Sequence, residues 1–278
     1  MAIYDLVKKA SVRDNAVLPV LMIATCFGAI AYVAGLASSG KLIESIAVDR
    51  GILLVSIIKS IIVGTSWILT YCALRKLPVT IATPIRANAP ALVIVLALIL
   101  YSERPTLSQW LGMLLVFSGF LAFSWAGKAE GIDFLRNRSV WFAVGGMVMS
   151  AISSLWDKYV FQVAAYPVES VQLLFQIGLF TFYVVIFSLR KLARIQGDRF
   201  EWRWSIPWVG VILALADWLY FHGLAIPEAP ISVGSLLRRF SVVITFVLGA
   251  IIFHEHNLRR KGLALSLIVI GTLIIAIN

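Results

Sequence analysis

Residues 73–90 read ALRKLPVTIATPIRANAP, and the organisation of the whole chain follows from them. The basic doublet Arg75-Lys76 closes one apolar run and Pro78 opens the next, so the stretch is a tight junction between two apolar segments. Sliding the chain over itself by 152 positions lays 73–90 on 225–242, AIPEAPISVGSLLRRFSV. Ala73 then meets Ala225, Pro78 meets Pro230 and Arg86 meets Arg238. Working outward at the same offset, Tyr4-Asp5 meets Trp156-Asp157, Glu103 meets Glu255 and Gly119 meets Gly271. Matches of Ala or Gly mean little in an apolar chain. Matches of Asp, Pro, Arg and Glu at one offset mean a duplication, read here as 1–126 and 140–277.

The runs flanking the junction are long. A membrane-crossing helix needs about 20 predominantly apolar residues. Nine runs qualify: 16–37, 51–74, 79–101, 107–126, 140–163, 168–189, 206–226, 230–253 and 262–277. The chain is 60% hydrophobic and 14% charged, with a mean hydropathy of +0.93, against roughly 25% charged in a soluble domain. Runs that are continuous rather than alternating exclude a β-barrel. Connections such as Ser102–Thr106 and Gly127–Arg138 leave no room for a separate soluble domain. The expected fold class is an all-α polytopic membrane protein.

The net charge of +10 marks sides of a bilayer rather than a nucleic-acid partner. Of the 24 Lys and Arg, sixteen collect on one side of the alternating spans. Four (Lys41, Arg50, Arg104, Lys158) lie on the other, and four (Lys59, Arg86, Arg238, Arg239) fall inside apolar runs. The positive-inside rule puts the richer side in the cytoplasm and Asn278 outside. Trp110, Trp141, Trp202, Trp204 and Trp208, near span ends, suit an interfacial belt. Cys26 and Cys72 offer neither metal spacing nor a disulfide framework.

The second copy holds five spans and the first four. Residues 140–155 would map before residue 1, so Ala2–Ala10 reads as the tail of a first helix that begins upstream, making ten helices in all. An odd number of helices per copy inverts the copies relative to each other. Inverted five-helix repeats with a site near the midplane are a recurring design of secondary transporters.

Residues 73–90 resemble the junction between the third and fourth helices of an EamA-type repeat. The resemblance continues through Glu103-Arg-Pro-Thr-Leu-Ser-Gln-Trp-Leu-Gly112 and Ser118-Gly119. The second copy shows it in Leu224-Ala-Ile-Pro-Glu-Ala-Pro-Ile-Ser232, Glu255, Lys261-Gly262 and Gly271. The chain is thereby similar to the drug/metabolite transporter superfamily. That resemblance implies ten helices in two repeats and transport without ATP, of amino acids, nucleosides, drugs, sugar phosphates or nucleotide sugars. It also implies both termini in the cytoplasm, the reverse of what the charge count gives.

Ionisable side chains inside spans are costly and point to function. Asp217, near the middle of its span, reads as a proton carrier, as a partner for a substrate ammonium, or as half of an ion pair. Arg86 and Arg238 occupy equivalent places, and their planar forks suit a substrate carboxylate or phosphate; tying a helix start to carbonyls is the plainer use. Asp157 is a second proton-coupling candidate, with pairing to Lys158 or capping as the structural account. His222, one turn beyond Trp218, is a third. Trp67, Tyr71, Trp218 and Tyr220 offer faces for substrate stacking or core packing. Lys59 lies about two turns into its helix and could reach an interface.

No Walker loop, GxSxG elbow or HExxH motif is present, so no catalytic residue, cofactor or metal is expected. His254-Glu255-His256 has an i, i+2 spacing poor for a helical metal site. The expected partners are a small-molecule substrate and the lipid bilayer, with no nucleic acid, in a monomer or homodimer of a bacterial inner membrane. The reading is a secondary active exporter of a small polar or amphipathic metabolite, amino acid-like or an organic anion, by proton-coupled alternating access. A lipid-carrier flippase would need a laterally open groove. An intramembrane enzyme would need a nucleophile or metal constellation that the sequence does not offer.

Overall fold

The computed structural model describes residues 2–89, 92, 106–128, 133, 135–195, 197–225, 231–253 and 258–277. Its helices are α1 (Ala2–Val12), α2 (Val17–Ser38), the short α3 (Leu42–Ile46), α4 (Arg50–Lys76) and α5 (Val79–Ala87). They continue with α6 (Leu107–Lys128), α7 (Arg138–Lys158, extended by a π-helical turn over Tyr159–Val163) and α8 (Val168–Leu192). The last three are α9 (Ser205–Ala225), α10 (Ile231–Ile252) and α11 (Leu258–Ile277). Each apolar run in the sequence becomes a helix, although most of 88–101 in the third run lies outside the described residues.

Local chemistry sets the helix ends. Asp49 accepts the Ile52 N–H at 2.7 Å and Asn137 accepts the Ser139 N–H at 2.8 Å, capping α4 and α7. Helix α2 ends at Gly40, whose φ of +73° is free of strain only without a Cβ; the Lys41 N–H returns to the Leu36 carbonyl at 3.0 Å. Cations close two other helices. Lys9 Nζ donates to the Leu74 and Leu77 carbonyls at 2.5 and 2.7 Å, and Arg203 Nη1 donates to those of Ala10 and Arg13, both at 2.7 Å. Ammonium and guanidinium groups at helix C-termini meet the negative end of the dipole. These contacts bring residues from α1, α4 and the segment before α9 to one face, as the charge count grouped them. On the opposite face Lys41 pairs with Glu169 at 2.7 Å.

Exposure is inverted relative to a water-soluble protein. Phe117, Leu114 and Leu263 face outward at 62%, 61% and 72% exposure, while Lys8, Lys59, Lys261 and Gln172 are at most 1% exposed. Apolar surface turned out and polar groups turned in is the arrangement that hydrocarbon demands. Among the described residues, five helices are long and apolar enough to cross a membrane: α2, α4, α7 with its π turn, α8 and α9. Shorter apolar helices accompany them in α6 and α10. The chain is an integral multi-pass membrane protein.

The packing follows the 152-residue offset. Under it α1 maps to α7, α2 to α8, α4 to α9, α5 to α10 and α6 to α11. Helix α4 packs on α7, and the mate of that pair, α9 on α1, is also packed. The pair α2 with α9 has its mate in α8 with α4, and α2·α8, α5·α10 and α6·α11 map onto themselves. The antiparallel seam between α6 and α11 shows this at atomic scale. A Cβ on Gly112 would lie 2.7 Å from the Gly271 carbonyl oxygen, and one on Gly119 would lie 2.8 Å from that of Ala264. Positions 112 and 264 are mates, as are 119 and 271. The backbones touch because small residues meet on both sides.

One surface pair carries a pH dependence. Asp198, in the segment between α8 and α9, is bonded by the Arg75 guanidinium, and that hydrogen bond holds its carboxyl below the usual carboxylate range. A depressed folded pKa contributes stability above the unfolded value, near 3.9, and loses it as pH falls through the folded value. Asp198→Asn should therefore melt slightly below the parent at neutral pH, by under about 1 kcal/mol for so exposed a pair. The two melting curves should converge as the pH is taken below 4. A gap that persists in acid would separate the effect from the ion pair.

Candidate functional site

The most unusual chemistry in the bundle is a buried ion pair. Lys59, on α4, donates to the Asp157 carboxylate on α7, and the two side chains are 1% and 7% exposed. Helix α4 is held in place to make this contact. Trp156 Nε1 donates to the Val55 carbonyl at 3.1 Å, Ser66 Oγ to that of Gly146 at 2.9 Å, and Tyr183 Oη to that of Gly64 at 3.1 Å. So α4 is clamped between α7 and α8. Gly146 permits the approach, since a Cβ there would lie 2.6 Å from Thr70 Oγ1.

Three phenylalanines surround the ammonium. Lys59 Nζ lies 4.4 Å from the ring centroid of Phe221 on α9, 4.9 Å from Phe175 on α8 and 6.0 Å from Phe161 in the π turn. The rings also pack on one another, Phe161 on Phe221 at 5.0 Å and Phe175 on Phe221 at 6.3 Å. A cation on aromatic faces is stabilised by the ring quadrupole, more so away from water. The π turn positions Phe161: the extra residue turns its ring toward α4, and the Ala164 N–H closes the widened turn on Tyr159 at 2.8 Å. Single π turns of this kind recur at functional sites.

Electrostatics give the pair its meaning. Taking each ion out of water costs several kcal/mol, returned only while the partner is present. An ammonium held by one carboxylate and three rings will accept another carboxylate if the first is protonated or displaced. The arrangement can exchange one anionic partner for another inside the membrane.

The residues singled out from sequence take different places. Asp157 is in this pair, bonded to Lys59 on another helix and not to its neighbour Lys158. Asp217 is half-buried on α9, one turn before Phe221 on the same helix face. His222 Nδ1 donates to the Trp218 carbonyl at 2.9 Å, and its Nε2 is 3.7 Å from Glu169; it stands at the end of α9 farther from the basic face. The ring of Trp218, 40% exposed, lies tilted at 46° against His222 with centroids 4.6 Å apart, and half-buried Tyr220 packs on Phe221 at 5.5 Å. Trp67 packs half-buried against the core, and Tyr71, 1% exposed, lies 5.7 Å from the ammonium of Lys8. Arg86 and Arg238 fall on α5 and α10, but their side chains lie outside the described residues, as does His254-Glu255-His256.

Phe161, Phe175 and Phe221 were not legible as a cage. With 16 phenylalanines in the chain, no spacing distinguishes three on separate helices. Lys8, one of the sixteen cations of the richer side, is 1% exposed, bonded to Asp5 at 2.6 Å and 4.5 Å above the Tyr4 ring. Asp5 and Asp157 stand 152 residues apart, and each holds a buried lysine.

Residues 1–125 match the EamA-like transporter family, which is consistent with the drug/metabolite transporter superfamily. No functionally curated protein matches the chain. A solved structure, described only as the crystal structure of a protein, is similar to it with a TM-score of 0.65. The two are 14% identical over 98% of this chain and 94% of that one, a likeness that shows the fold.

Proposed function

Taking the EamA-like match of residues 1–125 as premise, we propose that the chain is a secondary active exporter of a small amphipathic metabolite bearing a carboxylate, an amino acid or organic anion. Two inverted repeats, 1–126 and 140–277, would rock against each other in the inner membrane of a bacterium, exposing a central site alternately to either side. The observation that carries the reading is the Lys59–Asp157 pair, which joins the two repeats within a phenylalanine cage. The substrate carboxylate takes Lys59, its apolar body lies on the rings, and Asp157 takes up a proton or the substrate's ammonium as it yields the lysine. Asp217, one turn away along α9, relays that proton toward the basic face. Arg86 and Arg238 serve as further carboxylate contacts at equivalent places in the two repeats.

The test is a melting-temperature screen of the purified protein against amino acids, organic anions, nucleosides and cationic drugs, followed by flux in proteoliposomes. A carboxylate should raise the melting temperature. Lys59→Arg should keep part of the rise and Lys59→Gln none. A rise produced only by cationic drugs would overturn the assignment. Flux through Asp217→Asn that still follows a pH gradient as the parent does would remove Asp217 from the coupling.

A further inference from the structure

The basic face carries a cleft of about 300 Å³, open at one side. Lys9, Arg13, Arg75 and Lys76 line it with Asp14, over a floor of Leu77, Pro78 and Phe253. It lies where the C-terminal ends of α1 and α4 meet the end of α10. Some of its charge is committed. Lys9 is tied to two carbonyls at the end of α4, Arg75 is paired with Asp198, and Arg13 stands 3.7 Å from Asp14. Among the described residues, even with Asp198 included, four cations face two carboxylates. Lys76 is exposed and makes no ion pair among the described residues, and Arg13 is 60% exposed. Trp202 and Trp204, 48% and 79% exposed in the segment that holds Arg203 on α1, mark this level as the membrane interface.

We propose that this cleft is a binding site for a phosphate group. Guanidinium forks and ammonium point charges together suit a tetrahedral oxyanion. A charged rim over Leu77, Pro78 and Phe253 suits one whose remainder is apolar. At interface depth the phosphate belongs to the headgroup of an anionic phospholipid; a soluble phosphate monoester reaching the same face offers the same chemistry. The site is independent of the transported substrate.

The full chain in a neutral detergent tests this by melting temperature. Phosphatidylglycerol added to the micelles is expected to raise it by about 5 °C over phosphatidylcholine at lipid well above its dissociation constant. Glycerol 3-phosphate in the absence of lipid is the second arm; a rise there names the soluble source, and a rise with lipid alone names the headgroup. In Arg13→Gln/Lys76→Gln the rise should fall by more than half in whichever arm shows it. These two side chains are exposed, so the variant should melt near the parent in phosphatidylcholine. Arg259→Gln/Arg260→Gln, which removes two exposed cations of α11 outside the cleft, should keep the rise. No rise in either arm overturns the site. So does an equal loss in both variants, which would mean a diffuse basic surface, or a full rise in Arg13→Gln/Lys76→Gln.

Discussion

Lys59→Met is expected to abolish the proposed carboxylate transport and to destabilise the protein by about 3–5 kcal/mol, because it strands the buried Asp157 carboxylate without a cation. Asp157→Leu should do comparable damage from the other side, leaving an ammonium on three phenylalanine rings with no anion. The double variant Lys59→Met/Asp157→Leu decides what the pair is for. Replacing both ions by apolar groups removes the desolvation penalty along with the attraction, so stability should return to within about 1–2 kcal/mol of the parent. Transport should not return. Denaturation in mild detergent measures the first and proteoliposome flux the second. A double variant that is stable and still transports would reduce the pair to a scaffold, and one that remains as unstable as the singles would mean that the pair was not the cause.

Gly210→Ala is the second large effect, and it falls on assembly rather than on chemistry. A Cβ on Gly210 would sit 1.8 Å from the Ala24 carbonyl oxygen, and one on Gly28 3.0 Å from that of Gly210. Helices α2 and α9 therefore cross backbone to backbone, with no side chain that could move aside. One methyl group should force the helices apart and cost more than the about 1–3 kcal/mol of ordinary overpacking, measured as a lost folded fraction or a lower melting temperature. Gly262→Ala is the matched control: nothing lies within 4 Å of its Cβ position in α11. There the gain in helix propensity should stabilise by up to about 1 kcal/mol. Equal responses at the two glycines would mean that the α2–α9 crossing is looser than described.

The two sites were visible in the sequence to different degrees. Lys59 stands out at once, since a lysine in an apolar run is costly, and Asp157 stands out by its repeat mate Asp5. Their partnership does not. The nearest cation in sequence to Asp157 is Lys158, but consecutive residues on a helix point about 100° apart, so the neighbour faces elsewhere and α4 brings the partner. Gly28 and Gly210 are similarly unremarkable as letters among 19 glycines. Only the crossing of α2 with α9 separates Gly210, where a methyl group meets backbone, from Gly262, where it meets open space.

What the sequence determined by itself is whatever depends on one helix at a time or on comparison of the chain with itself. The spans follow from apolar length against the thickness of a bilayer. The sides follow from where the cations fall, and Lys9, Arg13, Arg75, Lys76 and Arg203 do meet on one face. The 152-residue offset is read from the sequence alone, and the packed helix pairs fall on one another under it. Tertiary structure alone decided which ions are partners, which rings surround them and which cations gather into a cleft. Those are relations between helices far apart in sequence, set by how closely backbones approach at small residues, and no periodicity within a single span encodes them.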